Sequence, residues 1–99
     1  AEVRKRVEDA RERQRVRFTG TDIASNADMR PAQIRKYCAL DEACQSLMKT
    51  AMRQLRLTAR AYHRVLKLSR TIADLAGSDA ISQVHLAEAL QYRPKLDLM

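Results

Sequence analysis

The stretch from Thr58 to Gly77, TARAYHRVLKLSRTIADLAG, constrains this chain more than any other. Its apolar residues recur at helical spacing. Ala61, Val65, Leu68, Ile72 and Ala76 share one face, with Tyr62, Ser69 and Leu75 along its flanks. Thr58 stands where an N-cap hydroxyl accepts from an early, otherwise unpaired N–H. Gly77 stands where a C′ residue with positive φ closes a helix. Arg60, Arg64 and Lys67 run along another face at i, i+4, i+7, and Arg70 borders them. The pattern predicts one amphipathic helix, packed on one side and offering cations on the other. The bland reading of such a stripe is a solvated face of a bundle helix. The functional reading is a row of guanidinium groups offered to an anion.

The rest of the chain supports a small bundle around that helix. At 99 residues it makes one small domain. Two Gly, two Pro and no Trp, with 45% hydrophobic residues, predict an all-α fold of four to five helices rather than disorder. The chain opens at Ala1 directly in a helical pattern, which reads as a segment of a longer protein. No apolar run approaches the roughly 18 residues of a membrane span, and the expectation is a cytoplasmic protein without a membrane partner.

Taken in order, residues 2–17 predict a highly charged helix with a thin apolar line through Val3, Val7, Ala10 and Gln14. Seven basic residues there face four acids, with Glu2–Arg6 and Asp9–Arg13 in the favourable acid-first i, i+4 order. Residues 18–30 break the period and predict a connecting loop pinned by Phe18, Ile23 and Met29. The helical core is expected over 31–93. Pro31 opens a short helix carrying Ile34, Tyr37 and Cys38, and Asp41 caps a second. That second helix buries Cys44, Leu47, Met48, Ala51 and Leu55 and turns Lys49, Arg53 and Arg56 outward. After the central helix, Ser82 caps a last helix with Val84, Leu86, Ala87 and Leu90 on its buried side. Pro94 ends it, leaving 94–99 as a tail.

Charge and chemistry narrow the function. A net charge of +7 fits nucleotide phosphates, nucleic acid or an acidic partner. From Ala43 to Ala73 there is no acid against seven basic residues, so a group outside that segment is expected to meet the charge. Cys38 and Cys44 read as buried free thiols, and His63 and His85 supply no recognised zinc spacing, so no metal site is expected. No Gly-rich phosphate loop, Ser-His-Asp set, Cys-His pair or paired carboxylates stand out. The chain by itself is expected to be non-catalytic.

Several words in order resemble one family: TARAYHR (58–64), RTIADL (70–75) and HLAEALQYR (85–93), with ARERQ (10–14), NADM (26–29) and QIRKYCALD (33–41) upstream. Together they resemble the C-terminal region of magnesium-chelatase-like AAA+ ATPases of the competence-protein-M type. The resemblance implies the helical lid that follows the ATPase core, with ATP and Mg2+ bound by the full-length protein. It implies the same chain's core and neighbouring subunits of a homohexamer as partners, and a motor that moves branched DNA. It also implies that Thr58-Ala59-Arg60 carries the second sensor arginine, with Thr where Ser is more usual. Arg60 is then the nucleotide-sensing residue, and Arg64, Lys67, Arg53, Arg56 and Lys49 are candidate phosphate or DNA contacts. Two alternatives stand beside this reading: an autonomous basic DNA-binding helical domain, and the lid of a true magnesium-chelatase motor subunit.

Overall fold

Caps and turns set the helix boundaries. The computed structural model describes residues 2–92. They form α1 (Glu2–Arg17), a 3₁₀ turn (Asn26–Asp28), α2 (Pro31–Tyr37), α3 (Glu42–Leu55), α4 (Ala59–Leu75) and α5 (Gln83–Gln91). No strand occurs among the described residues, so the fold is an all-α bundle. The expected tail, 94–99, and the Pro94 helix stop lie outside the described residues.

Asp41 accepts from the Cys44 N–H at 2.8 Å to start α3, and Thr58 Oγ1 accepts from the Ala61 N–H at 3.1 Å to start α4. Gly77 closes α4 at φ +72°. Its N–H donates to the Asp74 carbonyl, and the Ser78 N–H donates to the Ala73 carbonyl at 2.8 Å, the paired bonds of a Schellman motif. The start of α5 uses an unforeseen partner. There the Ser82 N–H donates to His85 Nδ1 at 3.0 Å, the role Glu or Gln plays in a capping box. His85 is therefore a helix-start residue.

α4 is the hub. It packs against α5, α1, α2 and the 3₁₀ turn. Phe18, Ile23 and Met29 are buried, so the long connection is anchored as expected. They join Ile34, Met48, Val65, Leu66, Ile81 and Leu86 in one core. Phe18 meets Tyr37 edge-on at 5.5 Å between ring centres.

Five sequence expectations need correction. Leu55, expected on the buried side of α3, is exposed, standing at the last turn beside the Arg56 C-cap. The buried arc of α4 is Val65, Leu66, Ser69, Arg70, Ala73 and Asp74, centred about 100° round the helix from the expected stripe. Ala61, Leu68 and Ile72 are only half-buried and Ala76 is exposed. Because neighbours cover α4 on several sides, polar residues with partners go inside with the apolar ones. Arg70 accordingly is buried rather than bordering the basic stripe. On α5, Ala89 is buried, whereas Val84 (73% exposed) and Ala87 face outward. On α1, Glu2 pairs with Arg6 as expected, but Asp9 pairs with Lys5 at 3.4 Å. Arg13 instead reaches Asp79 at 2.8 Å and the Gly77 carbonyl at 3.0 Å, tying α1 to the end of α4.

Cys38 and Cys44 are buried and free. Burial pushes both thiols up to about 11, so they stay protonated at neutral pH and are poor metal ligands. No group of three or more His, Cys, Asp or Glu side chains suited to a metal occurs among the described residues. Circular dichroism melts with and without a chelator are expected to superimpose. Helicity that collapsed on chelation would make the cysteines ligands.

Candidate functional site

The candidate surface lies on the outer side of α4. Thr58 fixes where the helix starts, and Arg60 is its second residue, exposed on the first turn. Partial positive charge from unpaired N–H groups concentrates at that end. Arg64 and Lys67 follow along the same face and are half-buried. Arg60, His63, Arg64, Lys67, Leu68 and Thr71 form one wall of a groove of about 790 Å³, and Ala27, Met29, Pro31 and Ile34 form the other. Lys67 spans it, its Nζ donating to the Ala27 carbonyl at 3.0 Å. Among the described residues no hydrogen bond or ion pair engages the Arg60 guanidinium.

The far wall of this groove is held by a buried polar network that the sequence reading missed. Asp74 lies at its centre, with a fully buried side chain. Arg17 grips it with both terminal nitrogens, at 2.7 and 2.9 Å. The Asn26 amide donates to Asp74 at 2.9 Å and to Thr71 Oγ1 at 3.1 Å, while its oxygen accepts from Arg17 at 2.9 Å. Gln14 Oε1 accepts from the Asn26 N–H at 2.9 Å. Asn26 is thereby held by four side chains, Gln14, Arg17, Thr71 and Asp74, and the Ala27 carbonyl next to it accepts from Lys67.

Arg70 completes the network. It stands 3.3 Å from Asp74 and donates to the carbonyls of Ser78 and Asp79 at 2.8 and 3.0 Å. Burial alone would raise the Asp74 carboxyl. The Arg17 fork, the Asn26 amide and the charges of Arg17 and Arg70 more than reverse this, holding it below the ordinary carboxylate range. Burial lowers the Arg70 guanidinium against the opposing pull of Asp74. The acid-free segment 43–73 thus meets part of its charge one residue beyond its end, within the same helix.

The candidate contacts separate in space. Arg60, Arg64 and Lys67 share the groove just described. Lys49 lines a second groove of about 780 Å³ between α2, α3 and α4, with Arg35, Tyr62 and His63. Arg53 and Arg56 are exposed at the end of α3 and line neither groove. Arg56 is the C-cap of α3 at φ +52°, a left-handed conformation, so it also shapes the α3–α4 turn. Arg35, Tyr62 and His63 were not singled out in the sequence as members of this face. Their only signal was their place on the helical segments that flank Lys49 and Arg60.

In chemical terms, two guanidinium groups and an ammonium fit the oxygens of a phosphate. Neither groove brings together carboxylates that would hold Mg2+, and neither is built on a Gly-rich loop. The residues present fit one share of a nucleotide site.

Comparison with known proteins places residues 1–93 in the family described as magnesium chelatase, subunit ChlI C-terminal. The competence protein ComM of Haemophilus influenzae is 46% identical over 74 residues, 75% of this chain and 14% of that protein. The proteins named YifB of Salmonella typhimurium and Escherichia coli are 41% and 40% identical over 93 residues, 94% of this chain and 18% of each. The chain spans less than a fifth of the length of these relatives. With a family match across nearly its whole length, the chain belongs to the magnesium chelatase ChlI C-terminal family.

Proposed function

We propose that this chain is the helical lid of a magnesium-chelatase-like AAA+ ATPase, and that Arg60 senses the γ-phosphate of nucleotide bound by the ATPase core. The observation that carries the proposal is Arg60 itself. It is exposed, unengaged among the described residues, set one residue into a capped helix, and backed by Arg64 and Lys67 in one groove. Its planar, permanently charged fork suits phosphate oxygens, and the helix start adds positive potential. ATP supplies the γ-phosphate and the core supplies Mg2+ ligands and hydrolysis; this chain supplies the cation that registers whether the γ-phosphate is there. Loss of that partner frees the lid to reorient.

The parent is then a cytoplasmic ATPase, working as a homohexamer in which the lid meets its own core and a neighbouring subunit. A relative named for competence favours a DNA-acting parent over a tetrapyrrole-directed one. An upstream phosphate-binding loop is required by this reading and not by an autonomous DNA-binding domain. One arginine contact is a small part of a nucleotide site. Calorimetric titration of this chain with ATP is therefore expected to give a Kd in the millimolar range or weaker, about −4 kcal/mol at most. Micromolar binding by the chain alone would relocate the whole site and overturn the lid assignment.

A further inference from the structure

We infer that the second groove, between α2, α3 and α4, is a binding site for single-stranded nucleic acid, with Tyr62 and His63 as the base-contacting surface and Lys49 and Arg35 as phosphate contacts. The inference does not use Arg60 and stands apart from the lid assignment. The groove floor is apolar, formed by the buried Ile34, Cys38 and Leu66. The two rings line it half-buried, with centres 5.8 Å apart and planes inclined by 58°. At that inclination they do not stack face to face, so neither ring consumes the other's face. Lys49 on α3 and Arg35 on α2 both line it and are exposed.

One carboxylate, Glu42, shares the lining. It sits seven residues before Lys49 on α3, about 10 Å along the axis, which sets it about two turns from that lysine. His63 and Ile34 line this groove and the Arg60 groove alike, so the two adjoin at those residues. Ring surfaces beside cations are the combination that single strands use and that a duplex, with its bases stacked inside, cannot reach. An acidic peptide would use the same cations and the apolar floor, but would not depend on an aromatic face at Tyr62.

The test is fluorescence anisotropy with a labelled oligothymidylate of about a dozen nucleotides. Tyr62→Leu is expected to weaken binding about tenfold while a duplex of the same length binds more weakly throughout. Lys49→Ala should flatten the dependence of log K on log salt by about 0.7, one phosphate on a single strand. Lys5→Ala, an equal loss of charge on α1, should leave that slope unchanged. Because Tyr62 also packs on the core, Arg35→Ala and Lys49→Ala, both exposed, keep the result readable if Tyr62→Leu unfolds. Equal slopes for Lys5→Ala and Lys49→Ala would overturn the proposal, as would an unchanged affinity for folded Tyr62→Leu. So would displacement of the oligonucleotide by polyglutamate at equal charge concentration, which would identify an acidic-peptide groove.

Discussion

Asp74→Ala is expected to lower the melting temperature by at least roughly 12 °C. The carboxylate is fully buried and bonded to Arg17 and Asn26, with Arg70 beside it. Removing it leaves two guanidinium groups facing each other without a counter-charge and frees the Asn26 amide. Breaking a buried ion pair from one side costs about 3–5 kcal/mol, and each kcal/mol shifts the midpoint of a domain this size by about 4–8 °C. Asp79→Ala is the contrast. Asp79 pairs with Arg13 at 2.8 Å, but its side chain is 97% exposed, so its loss should cost at most about 1 kcal/mol.

The same network sets an acid dependence. The folded-state pKa of Asp74 lies below its ordinary value, so its contribution is complete above that ordinary value. It is lost as pH falls through the depressed folded value. The wild-type melting temperature should therefore drop as pH is taken below about 4, and Asp74→Ala should lose part of that dependence. Comparable melts for Asp74→Ala and Asp79→Ala would show that the network does not hold α1 and the 18–30 connection on α4.

Features governed by local rules were legible in the sequence. Thr58, Asp41 and Gly77 announce helix ends because capping is set by a residue and its near neighbours. Phe18, Ile23 and Met29 stand out as apolar residues in an otherwise polar stretch. What stayed hidden depends on residues distant in sequence. Arg17 and Asp74 are 57 positions apart, and nothing local distinguishes Arg70, which is buried, from Arg64, which lines a groove. An apolar-stripe reading also places polar residues outside by construction, so it rotated α4 away from Ser69, Arg70 and Asp74. The basic stripe of Arg60, Arg64 and Lys67 was visible from spacing. The walls that turn it into a groove were not, because Ala27, Met29 and Pro31 arrive through the Asn26 lock.

Arg60→Ala in the full-length protein is expected to cut ATP turnover tenfold to a hundredfold. Losing a charge-assisted contact to phosphate costs roughly 1.5–3 kcal/mol, which converts to that range. Its side chain is exposed and makes no bond that the fold relies on among the described residues, so stability should change by only about 0.5 kcal/mol. Arg64→Ala lies in the same groove one turn further from the helix start, and a smaller loss of turnover is expected there. The decisive measurement is steady-state ATPase of the two variants beside their melting temperatures. A tenfold or greater loss for Arg60→Ala with an unchanged melting temperature, and a distinctly smaller loss for Arg64→Ala, is the predicted result. Equal, small losses in both would reduce the stripe to a solvated face, and a large fall in the melting temperature of Arg60→Ala would make that arginine structural.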